Sequence, residues 1–374
     1  MSQTGVPFIR SLGARSLLFA ALPTVVFLLG IIIYTSARMS SEVRKEAQRS
    51  LQSHAQNVAA EIERANTRAV LAAEVMAHAQ ESGGLFGQRE ASVTFARRIL
   101  EVNQDFTGTY FGYEPNADGE DVRNQEFGES SKIARAHDGA GRFLPYWYRD
   151  QQVSSRILLT PLVDMETSLY YQGTRELYYQ KGDGHSMVTE PYVYEGKMIV
   201  EQVHPIIIDG QFRGIAGVDR ALTDITSFVE AIKARAGIDI FLISRAGRFI
   251  SSTTPEAPDL VTKDVTTTAY EKLFGPFLND RTQTFFELSI DPVDGVEHYY
   301  ASAPVPTGTW TVVVRKLESD VAAPIRENLV LNLAMAAVGL LIVIGLSLWT
   351  SRSVTRRIGM AVTAADTVAS GNLQ

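Results

Sequence analysis

The sequence predicts an α+β protein: a long N-terminal helix and two antiparallel-sheet units in tandem, flanked by two transmembrane helices. Three features carry that prediction. Two uncharged apolar islands, residues 16–36 and 329–350, stand at either end of a long polar stretch. Directly after the first island, apolar residues recur at spacings of three and four, the period of one helix face. Further along, short apolar and aromatic runs alternate with Asp-Gly turn signals, as in hairpin-connected strands.

The chain has 374 residues, 45% hydrophobic and 21% charged, with a net charge of -7, enough for two or three domains. Its mean hydropathy of -0.01 hides the two islands, because the charges lie between and outside them. The absence of cysteine excludes a disulfide framework, zinc-cysteine sites and a thiol nucleophile. Mild acidity without clustered Lys and Arg argues against nucleic acid as a partner.

Each island is long enough to span a bilayer, since about 20 apolar residues cross a hydrocarbon core of roughly 30 Å. A cleaved signal sequence would have a shorter apolar core ending in a small-residue cleavage site. The first island instead runs on to Arg38 without one. Arg10 and Arg15 precede it, and Arg352, Arg356 and Arg357 follow the second island. Basic flanks stay in the cytoplasm, so both ends are expected inside and residues 37–328 outside, with the lipid bilayer as a partner. The expected organisation is a cytoplasmic N-terminus (1–15), a membrane helix (16–36), an extracytoplasmic region (37–328), a second membrane helix (329–350) and a cytoplasmic helix (351–374).

After the first membrane helix, Met39, Val43, Ala47, Leu51, Ala55, Val58, Ile62, Ala65 and Ala69 trace one helical stripe. That stripe can pack on its own domain or on a second copy. Ser82-Gly83-Gly84 breaks it, and a shorter helix is predicted over 91–102. Asp118-Gly119, Asp138-Gly139, Asp209-Gly210 and Asp294-Gly295 favour tight turns. They separate predicted strands 108–113, 187–193, 197–205 and 212–218, then a helix over 222–236. A second set follows at 239–244, 247–251, 283–288, 298–303 and 310–315.

The order of these elements, with the phrases GRFLPYWYRD (141–150), TEPYVYEGKMIVEQVHPI (189–206), GQFRGIAGVDRAL (210–222) and TGTWTVVVRK (307–316), resembles the double Cache sensor domain of bacterial receptors. The resemblance covers about 37–328. It implies two PAS-like units, a membrane-distal one over about 85–222 and a proximal one over about 237–316. It also implies a multi-pass place in the bacterial cytoplasmic membrane, with the sensor in the periplasm or outside the cell. The tail 354–374 looks like the first helix of a HAMP signalling module, with Val354, Ile358, Ala361, Ala365 and Val368 on a coiled-coil-like stripe and Gly371-Asn372-Leu373 at its end. A homodimer is expected, because that stripe needs a partner helix. An output domain is expected beyond residue 374.

In this family the distal unit usually holds a small-molecule ligand. Asp219 is the sharpest candidate: it follows the apolar run Ile215-Ala216-Gly217-Val218, where a strand end sets a carboxylate at a pocket rim. A helix N-cap is its competing role. Tyr110, Trp147, Tyr148, Tyr170 and Tyr192 belong to a dense aromatic set that can box a cation or an apolar body, with strand-face packing as the alternative. Trp147 and Tyr148 match the aromatic pair of amino-acid-binding members. Those members carry an arginine two residues before the tryptophan, where this chain has Pro145; Arg142 is the nearest arginine. They also carry an aspartate where Tyr194 stands. The resemblance therefore implies an amine or another small polar metabolite.

No catalytic signature appears: no G-x-S-x-G turn, no phosphate-cradling P-loop and no H-E-x-x-H helix. Asp183 to His185 reads as a turn, and so does the DPVDG stretch with Asp291 and Asp294. No cofactor, metal or catalytic residue is predicted. The reading is a non-enzymatic transmembrane signal receptor; a membrane-tethered enzyme or a transport-associated binding protein is the alternative.

Overall fold

The computed structural model of the protein describes residues 12–127, 132–150, 156–182, 184–194, 197–281 and 284–369. Arg10, Asp183, Gln283 and the Gly371-Asn372-Leu373 ending lie outside them. Residues 48–317 form one compact unit that contains both sheets; the apolar ends of the chain belong to another.

The helix α1 (Leu12–Glu81) is continuous for 70 residues and ends where Ser82-Gly83-Gly84 begins, with Gly84 at φ 73. Its first part is long and apolar enough to cross a membrane. Further on, the predicted stripe packs inward: Leu51, Ala55, Val58, Ile62, Ala65 and Ala69 are buried within the chain's own compact unit, while Val43 and Ala47 keep partial exposure. The helix α2 (Arg89–Val102) follows, then β1 (Gly108–Tyr113), α3 (Asp121–Phe127), β2 (Pro145–Arg149) and β3 (Ile157–Pro161). The helix α4 (Leu169–Lys181) starts at Ser168, whose hydroxyl accepts the Tyr171 N–H, and stops at Gly182 in the left-handed region.

The run predicted as one strand over 187–193 is two, β4 (Met187–Val188) and β5 (Tyr192–Tyr194). Pro191 has no N–H to continue the ladder. Thr189 bridges the gap, donating its N–H to the Glu201 carbonyl and accepting the Glu201 N–H on its hydroxyl. The strands β6 (Lys197–Ile208) and β7 (Gln211–Ala221) form a long hairpin around Asp209-Gly210, both at positive φ as a type I′ turn demands.

The first sheet is antiparallel, in the order β3-β2-β1-β7-β6, with β4 and β5 both pairing to β6. One face packs Phe111, Tyr113 and Val218 against Ala73 and Met76 of α1 and Leu100 of α2. The opposite face carries Tyr110, Tyr146, Val203 and Ile215, packed with Tyr170 and Tyr171 of α4 and with Leu162 and Met165.

The helix α5 (Leu222–Ala236) leads to the second sheet: β8 (Asp239–Ile243), β9 (Phe249–Ser252), then α6 (Ala257–Leu260), α7 (Glu271–Asn279), β10 (Phe286–Ile290), β11 (Glu297–Val305) and β12 (Trp310–Leu317). The strand predicted from Gly247 starts two residues later, because Gly247 at φ 87 belongs to the turn. Its order is β10-β11-β12-β8-β9. Phe274 and Phe277 of α7 pack onto Phe241, Phe249 and Tyr300. Beside them Asp291 is fully buried, ion-paired with Arg315 and accepting hydroxyl donors from Tyr270 at 3.2 Å and Tyr300 at 2.7 Å. The DPVDG turn therefore anchors the sheet through a buried charge, which composition alone does not reveal. β12 passes without a break into α8 (Glu318–Ala369), also long and apolar enough to cross a membrane.

Candidate ligand-binding site

Strand register sets Glu201 of β6 directly opposite Asp219 of β7, and Asp219 opposite Gly108 of β1. Residues opposite one another in antiparallel strands share a face, with Cβ atoms roughly 5 Å apart. Two carboxylates thus adjoin under α4, and both are buried, Glu201 at 1% exposure and Asp219 at 0%. The next row on that face is Tyr146, Tyr110, Gly217 and Val203. The glycines make room: a Cβ on Gly217 would run into the Tyr110 ring. A Cβ on Gly108 would stand 2.9 Å from both the Tyr146 hydroxyl and Asp219 Oδ2.

The walls are tyrosines. Tyr170 of α4 lies with its ring 5.3 Å from that of Tyr110. Tyr192 of β5 donates its hydroxyl to Glu201 Oε2 at 2.6 Å. Tyr194 meets Tyr146 and Tyr170 edge-on, at 5.7 and 6.2 Å, and its hydroxyl accepts the Val163 N–H. Tyr148 stacks on Tyr146 at the flank. The hydroxyls of Tyr110 and Tyr170 are buried and make no hydrogen bond of ordinary geometry among the described residues.

Burial pushes the Glu201 carboxyl well above its ordinary pKa, and the neighbouring Asp219 charge pushes it further. The same burial, reinforced by the two carboxylates, raises Tyr110 and Tyr192 well above 10, so their hydroxyls stay neutral. Tyr146 is raised likewise, by burial and then by Asp219. The site therefore offers negative charge, ring faces and neutral hydroxyls, the equipment for a small cation.

The sequence matches no family profile and no curated protein. The structure is similar to the extracellular domain of the histidine kinase mmHK1S-Z3, with TM-score 0.61 and 25% identity over 76% of this chain and 98% of that one. It is similar also to the corresponding domain of mmHK1S-Z2, with TM-score 0.56 and 26% identity over 75% and 98%. Methyl-accepting Chemotaxis protein X matches with TM-score 0.60 and 22% identity over 75% and 100%. The tandem sheets form a double Cache sensor fold. The matched kinase regions are extracellular domains.

Within this double Cache fold the first sheet brings together Asp219, Tyr110, Tyr170 and Tyr192, with Tyr148 at the flank. Two predicted residues go elsewhere. Trp147 points to the opposite face, where its indole N–H donates to the Val93 carbonyl of α2 and Arg97 lies over its ring. The aromatic pair on the pocket face is instead Tyr146 and Tyr148, one register step away, and a single step along a strand reverses the face. Arg142 is occupied too: it donates to the Tyr113 carbonyl and pairs with Glu166, fixing the turn around Met165. Glu201 is the residue the sequence reading missed. A second acidic cluster, Asp291, Asp294 and His298, has metal-compatible spacing, but Arg315 is already ion-paired with both of its aspartates.

Proposed function

We propose that this chain is a multi-pass receptor of the bacterial cytoplasmic membrane whose distal Cache unit binds a small extracytoplasmic molecule and passes the event inward. The observation that supports it most is the tyrosine-walled pair of buried carboxylates. Two buried carboxyls among tyrosine rings and hydroxyls suit a cationic ligand, whose charge and apolar body they can both meet. An amine is the ligand class that fits, with another small polar metabolite as the broader limit.

A signalling route accompanies the site. Arg220 follows Asp219 on β7 and points to the opposite face, where its guanidinium donates to Asn66 Oδ1 at 2.7 Å. Asn66 donates to the Thr307 carbonyl in the β11–β12 turn at 3.1 Å. Glu63 accepts the Thr307 N–H at 2.8 Å and its hydroxyl at 2.6 Å. A shift of β7 on ligand binding thus reaches α1 and the turn before β12, which continues into α8 and the HAMP-like stripe. Only a ligand that binds one arrangement more tightly can drive such a shift. The receptor acts as a homodimer in this reading, through partner helices at that stripe.

The test joins the chain to a heterologous histidine-kinase output and measures that output as amines, amino acids and organic acids are added outside. A response to one class that Asp219→Ala abolishes is the expected result. An active output that answers to no class would contradict the receptor reading.

A further inference from the structure

We propose that His204, His78 and Glu81 bind a divalent transition-metal cation of the zinc class, with His185 as the fourth donor. The site lies on the face of the first sheet opposite to the candidate ligand pocket, since Glu201 and His204 of β6 point to opposite sides. It goes beyond the receptor reading and does not depend on it.

Glu74, His78 and Glu81 follow one another along α1 at spacings of four and three, so their side chains share one helix face. β6 brings His204 to that face, 3% exposed, with its ring centroid 5.4 Å from that of His78 and the planes at 66°. Two imidazoles on a tetrahedral ion, with Zn–N bonds of about 2.0–2.1 Å, have centroids roughly 5 Å apart. Glu81 is held by the same strand: its Oε1 accepts the Ile207 N–H at 2.8 Å, and its Oε2 stands 3.7 Å from His78 Nε2. Donor atoms on a tetrahedral ion are separated by roughly 3.4 Å. His78, with 58% of its side chain exposed, can turn onto the ion without disturbing the core.

Hydrogen bonding fixes which nitrogen of His204 can coordinate. Ser186 donates its one hydroxyl proton to Glu74 Oε1 at 2.9 Å, so the contact of 2.8 Å between Ser186 Oγ and His204 Nδ1 is donated by the imidazole. The lone pair of the neutral ring is then on Nε2. A Cβ on Gly184 would stand 3.2 Å from that nitrogen, and glycine keeps the space in front of it clear. Burial pushes the His204 imidazole down to about 4, against the pull of the Glu74 charge and with His78 and His185 adding to the fall. The ring is therefore neutral, the form that binds metal. A carboxylate-backed imidazole of this kind is how metal-ligating histidines are oriented. Two or three imidazoles with one carboxylate suit zinc and its neighbours rather than calcium or magnesium, which take oxygen donors. A bound ion would tie α1 to β6 and to the loop before β4.

The full chain, purified in detergent micelles through a tag without histidine, is titrated with zinc chloride by calorimetry and with cobalt(II) chloride by visible absorption. About one ion should bind per chain, with the intense visible bands of tetrahedral cobalt. His78→Gln, at an exposed position, should weaken zinc binding about tenfold or more, and His204→Ala should abolish it. Ser186→Ala should weaken it about 10- to 100-fold, and Ser186→Thr, which keeps the hydroxyl, should restore it. Should His204→Ala fail to fold, His78→Gln and the cobalt spectrum decide. No saturable binding, an affinity unchanged in His78→Gln, or the faint bands of octahedral cobalt would each overturn the proposal.

Discussion

Gly217→Ala is the sharpest single-atom probe of the candidate site. The added methyl group would run into the Tyr110 ring. That ring cannot move aside freely, because Tyr170 lies 5.3 Å from it, Tyr146 lies 6.2 Å from it, and the residue is fully buried. Overpacking of this kind costs about 1–3 kcal/mol. At roughly 2–4 °C per kcal/mol for a domain of this size, the midpoint of thermal unfolding should fall by about 2–12 °C. The strain is relieved by tilting Tyr110 over the carboxylates, so a ligand must push it back, and affinity should weaken roughly 5- to 150-fold. Gly139→Ala is the control: it lies in a turn without a positive φ, and the new methyl meets nothing within 4 Å. Replacing glycine at such a compatible position should instead stabilise by about 0.4–1 kcal/mol. Scanning calorimetry of the full chain, with and without an amine, reads both effects. An unchanged midpoint and affinity for Gly217→Ala would refute the packing argument.

Three further outcomes follow from other parts of the molecule. With its folded pKa raised, Glu201 binds a proton more tightly in the native state than in the unfolded chain. Stability should therefore fall as pH rises through the window above the ordinary carboxylate range, by up to about 1.4 kcal/mol per pH unit, and Glu201→Gln should flatten that slope in urea titrations. Asp291→Ala strands Arg315 at 4% side-chain exposure with only part of its ion pairing left, and should cost about 3 kcal/mol by chemical denaturation while leaving the ligand response at the first sheet intact. Thr307→Val removes the hydroxyl that donates to the partly exposed Glu63, should cost roughly 1 kcal/mol, and should weaken the kinase response of the hybrid receptor without weakening ligand binding.

Much of this architecture is legible in the residues because local chemistry and tertiary packing agree. Asp209-Gly210 specifies its own turn, the strand over 108–113 sits between clear breakers, and the helix over 222–236 has both its period and a terminal Gly237. Asp219 stands out because it ends an apolar run just before that helix. Glu201 does not, because β6 is buried on both faces and apolar alternation cannot say which side the glutamate takes. The available signal was the charge itself, the one carboxylate in the strand Lys197–Ile208. The face that Trp147 takes is not legible for another reason: three consecutive aromatics at 146–148 leave it undecided until the strand's partners are known. The destination of the α1 stripe was open for a similar reason, since small apolar residues suit a sheet and a second helix equally well.

Whether an amine binds beside Asp219 is decided by a thermal-shift screen of the full chain in detergent against amines, amino acids, organic acids and purines, repeated with Asp219→Ala. Stabilisation scales with ligand concentration over its dissociation constant, reaching about 2.7 kcal/mol at a hundredfold excess, so even a weak ligand registers. An amine should raise the melting temperature of the wild type and leave the variant unmoved. Stabilisation by an organic acid instead, or an amine effect that survives Asp219→Ala, would contradict it.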